Sequence, residues 1–157
     1  VIIATGLLSD GEDLQPEKSY KHQSLGAFER VFRVNTFGPA LIAKHILPLM
    51  PRKDRAVFAA LSARVGSISD NRLGGWHAYR ASKAALNAFG KSLAVDLKPK
   101  GIAVALLHPG YVKTRMVNFG GMISPEEAAT GLAARIDGLT LENTGSFWHS
   151  NGDALPW

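Results

Sequence analysis

The stretch at residues 77–110 reads HAYRASKAALNAFGKSLAVDLKPKGIAVALLHPG and joins two patterns that decide the fold. Residues 77–98 carry apolar and small side chains at helical spacing, and Pro99 and Gly101 end the predicted helix. Residues 101–110 continue as an apolar run, which is typical of a strand buried on both faces. A long helix followed at once by a fully buried strand predicts an α/β fold.

The rest of the chain repeats this alternation of strand and helix. Three further strands are predicted, at residues 1–6, 55–63 and 145–150. Two further helices are predicted at residues 24–50 and 124–137, with polar loops at 9–23 and 64–75. Ser124 and Glu127 predict a capping box, with Pro125 in the first turn of the last helix. This order favours right-handed crossovers and a Rossmann-like parallel sheet flanked by helices.

Composition and charge exclude several classes of protein. The 46% of apolar and 20% of charged residues describe an ordinary globular chain with one domain. Without cysteines, and with five histidines that lack paired ligand spacing, the chain is not expected to hold a metal. The sequence has neither a long apolar run nor a signal peptide, so a cytoplasmic location is expected. The net charge of +5 comes from scattered lysines and arginines, so nucleic-acid binding is not expected.

Tyr79 and Lys83 are four residues apart and therefore lie on the same face of the predicted helix. An ammonium close to a phenol favours the phenolate and lowers the pKa of the tyrosine, which is one way to build a proton-transfer group. Such a pair also arises by chance. Here, however, a Ser/Gly-rich loop precedes the helix and places hydroxyls at the carboxyl edge of the sheet, where open α/β folds bind ligands.

Over nearly its whole length, the chain resembles the carboxyl-terminal part of a classical short-chain dehydrogenase/reductase. The matching motifs are YRASKAALN (79–87), VFRVNTFGPALIAKHILP (31–48), LSARVG (61–66) and HPGYVKT (108–114). The segments SARVGSISDNRLGGW (62–76) and GSFWHSNGDALPW (145–157) are most similar to the carbonyl-reductase-like branch that includes C-factor signalling proteins.

The resemblance implies roles for particular residues. Tyr79 would be the general acid/base, while Lys83 would lower the pKa of Tyr79 and hold the nicotinamide ribose of NAD or NADP. Asn35 would belong to a proton relay. Its backbone carbonyl has no helical partner because Pro39 lacks an N–H, which leaves it free for a water unless the proline only kinks the helix. Further residues implied at the cofactor are Gly6, Pro109, Gly110, Val112 and Thr114.

The sequence departs from the family pattern at the catalytic serine. The family serine falls at Ala63, whereas Ser62 would point to the opposite side of a regular strand. Three alternatives remain: a bulged strand end lets Ser62 act, Ser67 or Ser69 substitutes, or the oxyanion donor is lost. We expect Ser62 to act. A second departure is Ile3-Ala4-Thr5-Gly6, where the family usually has NNAG.

The glycine-rich turn that binds a dinucleotide pyrophosphate is absent from the sequence. Neither GxGxxG nor TGxxxGxG occurs, and GKS at residues 90–92 lies within a predicted helix. We therefore expect residues 1–157 to form a single partial domain, with about three strand-helix units of roughly 30 residues each missing before it.

Two functions are consistent with these observations. The first is an NAD(P)-dependent oxidoreductase that moves a hydride between nicotinamide and a carbonyl or alcohol substrate. The candidates for its pocket walls are Trp76, Tyr111, Met116, Phe119 and Met122, with plain core packing as the alternative for at least half of them. The second is a truncated, non-catalytic protein that binds partners or signals through the helices at 24–50 and 77–98. By resemblance, these helices would also form the interface of a homodimer or homotetramer.

Overall fold

In the computed structural model, which describes residues 1–52 and 54–157, four strands form one parallel sheet. The strands are β1 (Ile2–Ile3), β2 (Ala56–Leu61), β3 (Ile102–His108) and β4 (Ser146–His149), paired in the order β1-β2-β3-β4. All three pairings are parallel, so each connection must cross over one face of the sheet. The predicted α/β fold is confirmed.

Helices cover both faces of this sheet. They are α1 (Leu25–Phe32), α2 (Gly38–Ile46), α3 (His77–Leu97) and α4 (Pro125–Asp137). The capping box of α4 is present as predicted: Ser124 Oγ accepts from the Glu127 N–H, and Glu127 Oε2 accepts from the Ser124 N–H. Along the described part of the chain, none of the helices combines the length and apolarity that a membrane crossing requires.

The predicted single helix at 24–50 is wrong in one respect, because a π-helical turn at Arg33–Phe37 separates α1 from α2. In this turn the Gly38 N–H donates to the Arg33 carbonyl, five residues earlier. Pro39 follows in the first turn of α2, where its missing N–H would interrupt a regular ladder. The turn therefore relieves the mismatch that Pro39 introduces and turns Asn35 towards the protein interior.

The strands are buried on both faces, as their continuous apolar sequences predict. Val104 and Leu106 pack towards α3, where they join Phe58, Leu86 and Phe147. The alternate residues of β3 pack on the opposite face in a cluster that α4 partly covers. A Cβ at Gly90 of α3 would lie 2.4 Å from Leu106 Cδ2, so α3 approaches the sheet closely at this glycine.

The first strand is shorter than the predicted 1–6, and an asparagine side chain binds the backbone just beyond that range. Asn35 is fully buried, and its Oδ1 accepts from the Leu7 N–H at 2.7 Å. Its Nδ2 donates to the Leu7 carbonyl at 2.9 Å and to Ser82 Oγ at 3.0 Å. One side chain thus joins the π-helical turn, the segment after β1 and α3.

Replacing Asn35 with alanine is expected to lower the free energy of unfolding by about 2–4 kcal/mol, because it removes a fully buried amide and leaves two partly buried Leu7 backbone groups without partners. The exposed Gln23, whose side chain makes no hydrogen bond to the residues that the structure describes, provides the control. Gln23→Ala should change stability by less than about 0.5 kcal/mol. Urea unfolding measures both values. Equal stability of the two variants would contradict the bracing role of Asn35.

Candidate active site

A cavity of about 590 Å³ opens at the carboxyl ends of the strands, a size typical of small-molecule sites. Its walls come from the end of β2, the loop after β3, the first turn of α3 and the start of α4. This is the sheet edge at which the sequence places its candidate residues. The residues of the predicted site that line the cavity are Ser62, Tyr79, Pro109, Gly110, Val112 and Thr114.

Tyr79 and Lys83 lie on one face of α3, as their spacing predicts. Both are buried, with 8% of Tyr79 and 2% of Lys83 exposed. Lys83 Nζ donates to the Leu61 carbonyl at 2.8 Å and lies 5.9 Å from the centre of the Tyr79 ring. A Cβ at Gly6 would lie 3.7 Å from Lys83 Nζ, so the segment after β1 also approaches this ammonium. Lys83 therefore joins the helix to the carboxyl end of β2 and lies beside the segment after β1.

Burial dominates the electrostatics of this pair. It raises the pKa of Tyr79 to about 12 and lowers the pKa of Lys83 to about 8. The sequence predicted a lowered pKa for Tyr79, so the expected direction is wrong for this structure. The reason is that desolvation of the phenolate outweighs the attraction of an ammonium nearly 6 Å from the ring. At neutral pH, Tyr79 is therefore a proton donor beside a largely protonated lysine.

Asn35 lies behind α3 and does not line the cavity. Its side chain is fully used by Leu7 and Ser82. The Thr36 hydroxyl extends the same contact by donating to the Ser82 carbonyl at 2.9 Å. The observed role of the Asn35 side chain is thus to hold α3 against the π-helical turn. The proton relay through its backbone carbonyl stays a prediction.

The serine position is occupied by Ala63, which lies in the cavity wall. Ser62 continues the regular strand pairing, because its N–H donates to the Leu107 carbonyl at 2.8 Å, so the bulge considered above is not present. Its hydroxyl donates to Asn87 Oδ1 on α3 at 2.6 Å. The hydroxyls of the two substitute serines, Ser67 and Ser69, both donate to the Trp157 carbonyl. All three hydroxyl protons are therefore engaged away from Tyr79.

The loop after β3 forms the opposite wall. Gly110 has φ +93°, and a Cβ there would lie 2.9 Å from Ile123 Cδ1, so the position favours glycine. The Ser150 hydroxyl fixes the loop by donating to the Pro109 carbonyl at 2.9 Å. Val112 and Thr114 continue the wall towards the cavity mouth.

Sequence reasoning missed His108, which ends β3 and also lines the cavity. Its ring meets that of His149 edge-on, with 4.9 Å between the centroids. Burial, followed by the nearby His149, lowers the pKa of His108 to about 4, so the imidazole is neutral at neutral pH. Its Nδ1 is buried without a partner in the described part of the chain. The signal available in the sequence was the histidine in HPG, directly after an apolar strand.

The predicted apolar walls are partly correct. Trp76, Tyr111 and Met116 line the cavity. Phe119 and Met122 do not, and they are 68% and 80% exposed. Their loop leaves the cavity after Val117, and Asn118 and Phe119 both take left-handed backbone conformations. This change of direction cannot be seen in hydropathy.

Comparison with known proteins identifies the family. The family model described as short chain dehydrogenase matches residues 5–120, which include β2, α3, β3 and the loop after it. The chain therefore belongs to the short-chain dehydrogenase family, an oxidoreductase family, as its motifs indicated.

Among the relatives is a 1-hydroxy-2-glutathionyl-2-methyl-3-butene dehydrogenase of Rhodococcus, with 42% identity over 82% of this chain and 58% of that protein. The C-signal protein of Myxococcus xanthus is 37% identical over 82% of this chain and 77% of its own length. The chain thus spans little more than half the length of the first of these relatives.

Solved structures agree with the assignment to the short-chain dehydrogenase family. The carbonyl reductase Sniffer of D. melanogaster superposes with a TM-score of 0.89 at 28% identity, covering 99% of this chain and 66% of that one. An NADPH-bound carbonyl reductase from chicken fatty liver gives 0.80 at 26% identity, covering 90% and 61%. These similarities confirm the Rossmann-like fold and the branch of carbonyl reductases and C-signal proteins.

The lowered pKa of Lys83 predicts a distinctive pH dependence of stability. Between pH 8 and pH 10 the unfolded chain keeps the Lys83 proton that the folded chain has lost, so the free energy of unfolding should rise with pH. Above pH 10 the trend reverses, because the unfolded chain then loses the Tyr79 proton that the folded chain keeps.

Lys83→Met should remove this rise in the free energy of unfolding between pH 8 and pH 10, which is expected to be on the order of 2–3 kcal/mol. Urea unfolding across this pH range measures it, with the exposed Lys21→Met as the control. A rise of the same size in Lys83→Met and in the unmodified chain would show that Lys83 is not its source.

Proposed function

We propose that this protein is an NAD(P)-dependent oxidoreductase that transfers a hydride between nicotinamide and a carbonyl or alcohol carbon of a small molecule. The observation that carries the proposal is the buried Tyr79–Lys83 pair at the wall of an apolar cavity. The NADPH-bound and NADP-bound short-chain relatives support the choice of cofactor.

The residues present fit a nicotinamide group. The close turn at Gly110 leaves backbone, without a side chain, along one wall, and Lys83 Nζ lies buried beside Gly6 and Leu61. Lys83 would hold the ribose, Gly6 would leave room beside it, and Pro109, Gly110, Val112 and Thr114 would hold the nicotinamide. When bound, the cofactor supplies or accepts the hydride.

Tyr79 would move the proton that accompanies hydride transfer. Burial keeps the phenol protonated, so its O–H can donate to a substrate carbonyl oxygen as that oxygen gains charge. The neighbouring ammonium of Lys83 stabilises the phenolate left behind. In the reverse direction the phenolate would accept the alcohol proton. At neutral pH, Tyr79 is therefore held in the protonated form that carbonyl reduction requires.

Tyr79→Phe is expected to lower kcat by at least about a hundredfold, because phenylalanine keeps the ring packing and removes the proton donor. Turnover is followed by the loss of NADPH absorbance with a panel of aldehydes and ketones. Tyr20→Phe is the control, since Tyr20 is 69% exposed. Unchanged turnover in Tyr79→Phe would reject Tyr79 as the acid/base.

The hydroxyl of Ser62 is already bonded to Asn87. This contact favours the alternative in which the usual oxyanion donor is lost over the alternative in which Ser62 acts directly. Ser62→Ala is therefore expected to lower kcat by less than about tenfold, against a hundredfold or more for a true donor. Ala63→Ser restores the family residue in the cavity wall and should raise kcat. Steady-state kinetics of both variants test this, and a hundredfold loss in Ser62→Ala would reinstate Ser62 as a catalytic residue.

Partner binding is a second candidate function, because apolar side chains are exposed on the outer helices. Leu25, Phe37, Leu41 and Val95 are 76%, 53%, 59% and 66% exposed. These positions suit a homodimer or homotetramer through α1, α2 and α3. The second candidate would be a non-catalytic form that acts through these helices. Binding of NADPH to the isolated chain favours the enzyme, whereas self-association without NADPH binding favours the partner-binding role.

A further inference from the structure

A buried carboxylate lies in the segment that the sequence predicts only as a polar loop. Glu17 is 4% exposed, although residues 9–23 are otherwise polar and turn-rich. No lysine or arginine pairs with it among the described residues. An unpaired buried carboxylate is unfavourable unless N–H groups stabilise it, so its partners indicate what it does.

Those partners are at the start of the helix that carries Tyr79. Both carboxylate oxygens of Glu17 accept from the Ala78 N–H, at 3.2 and 3.3 Å. The residue before α3 is Trp76, whose side chain makes no capping hydrogen bond. Glu17 therefore supplies, from a distant part of the chain, the acceptor that a serine or aspartate at the N-cap would normally provide.

The backbone of Glu17 holds the preceding loop as well. Its carbonyl accepts from the Trp76 N–H at 2.6 Å. Gly74, Gly75 and Trp76 all have positive φ, and this conformation is unfavourable for the tryptophan. Arg80 holds the other side of the loop by donating through Nε to the carbonyls of Gly74 at 3.2 Å and Gly75 at 3.0 Å. A strained tryptophan held from two sides is typical of a functional position.

This loop places the Trp76 side chain in the candidate site. The indole lines the cavity and meets the Tyr79 ring edge-on, with 6.3 Å between centroids and 81° between planes. Tyr79 itself follows Ala78, the residue that Glu17 caps. Glu17 thus holds both features: its buried side chain caps the start of the helix that carries Tyr79, and its backbone carbonyl holds the Trp76 N–H beside it.

We infer that Glu17 is a positioning residue that fixes Trp76 and the first turn of α3, and that Trp76 selects carbonyl substrates with a flat apolar group. The inference rests on the proposed function for its substrate, but the positioning of Trp76 can be measured without turnover. Loss of the Glu17 carboxylate uncaps Ala78 and removes the buried anchor that keeps the Glu17 carbonyl at the Trp76 N–H. The left-handed loop is then freed, the indole leaves the cavity wall and Tyr79 loses its fixed orientation.

The first test compares Glu17→Gln, which keeps an oxygen acceptor at the same reach, with Glu17→Ala, which removes it. Glu12→Ala, an exposed carboxylate in the same segment, is the control. With NADPH, Glu17→Ala should lose tenfold or more in kcat/KM for benzaldehyde and clearly less for butanal, because a misplaced wall affects the flat substrate most. Glu17→Gln and Glu12→Ala should stay within about threefold of the unmodified chain. Equal losses for both aldehydes would overturn the selectivity of Trp76.

The second test reports on Trp76 directly. In a Trp148→Phe, Trp157→Phe background, Trp76 is the one remaining tryptophan of three. Glu17→Ala should increase acrylamide quenching of its fluorescence at least about twofold over the background, and Glu17→Gln and Glu12→Ala should not. Unchanged quenching in Glu17→Ala would overturn the positioning role.

Two further outcomes are separable. If the unmodified chain reduces neither aldehyde, the proposed function fails, while the fluorescence result still decides whether Glu17 positions Trp76. If Glu17→Ala does not fold, Glu17→Asp replaces it, because its carboxylate is one methylene too short to keep the Ala78 contact. Quenching of Glu17→Asp equal to that of Glu17→Gln would then overturn the inference.

Discussion

The close packing of α3 against its surroundings is the constraint on which the candidate site depends. Two glycines allow it: a Cβ at Gly90 would lie 2.4 Å from the Leu106 side chain, and a Cβ at Gly66 would lie 2.7 Å from Lys83 Cβ. Side chains at these places would push the helix outwards. With α3 so close, Lys83 reaches the Leu61 carbonyl at the end of β2, and Tyr79 reaches the cavity.

The same closeness sets the electrostatics of the site. A helix seated this deeply removes Tyr79 and Lys83 from water, and removal from water favours the neutral form of each. The result is a phenol that retains its proton next to an ammonium that loses its proton more readily than an exposed lysine. His108, neutral for the same reason, adds a second uncharged group to the cavity. The cavity thus holds a protonated phenol and a neutral imidazole, which suits the transfer of a proton to an uncharged carbonyl.

Three parts of the chain that are distant in sequence hold α3 in place. Asn35 contacts Ser82 from the π-helical turn, Asn87 receives the Ser62 hydroxyl from the end of β2, and Glu17 caps the first turn. Each contact is a hydrogen bond made by a buried polar side chain, and such bonds have strict geometry. Apolar packing determines how close the helix lies to the sheet, while these polar contacts determine its register and rotation. The orientation of Tyr79 depends on both.

The sequence alone determined the features that depend on local periodicity. The strands at 56–61 and 102–108, the helix at 77–97 and the capping box at Ser124 all follow from short-range spacing, turn residues and caps. The shared face of Tyr79 and Lys83 is equally local, because helix geometry brings residues i and i+4 together. The family motifs, too, could be recognised from order and spacing alone.

Only the tertiary structure decided which groups these residues meet. The Ser62 hydroxyl donates to Asn87, the Asn35 side chain holds Leu7, and Glu17 reaches Ala78 across 61 residues of sequence. The direction of the Tyr79 pKa shift also depended on the fold, because the depth of burial outweighed the neighbouring charge that the sequence made visible. Hydrogen-bond partners and desolvation depend on the positions of distant segments in space, and local sequence spacing contains no information about those positions.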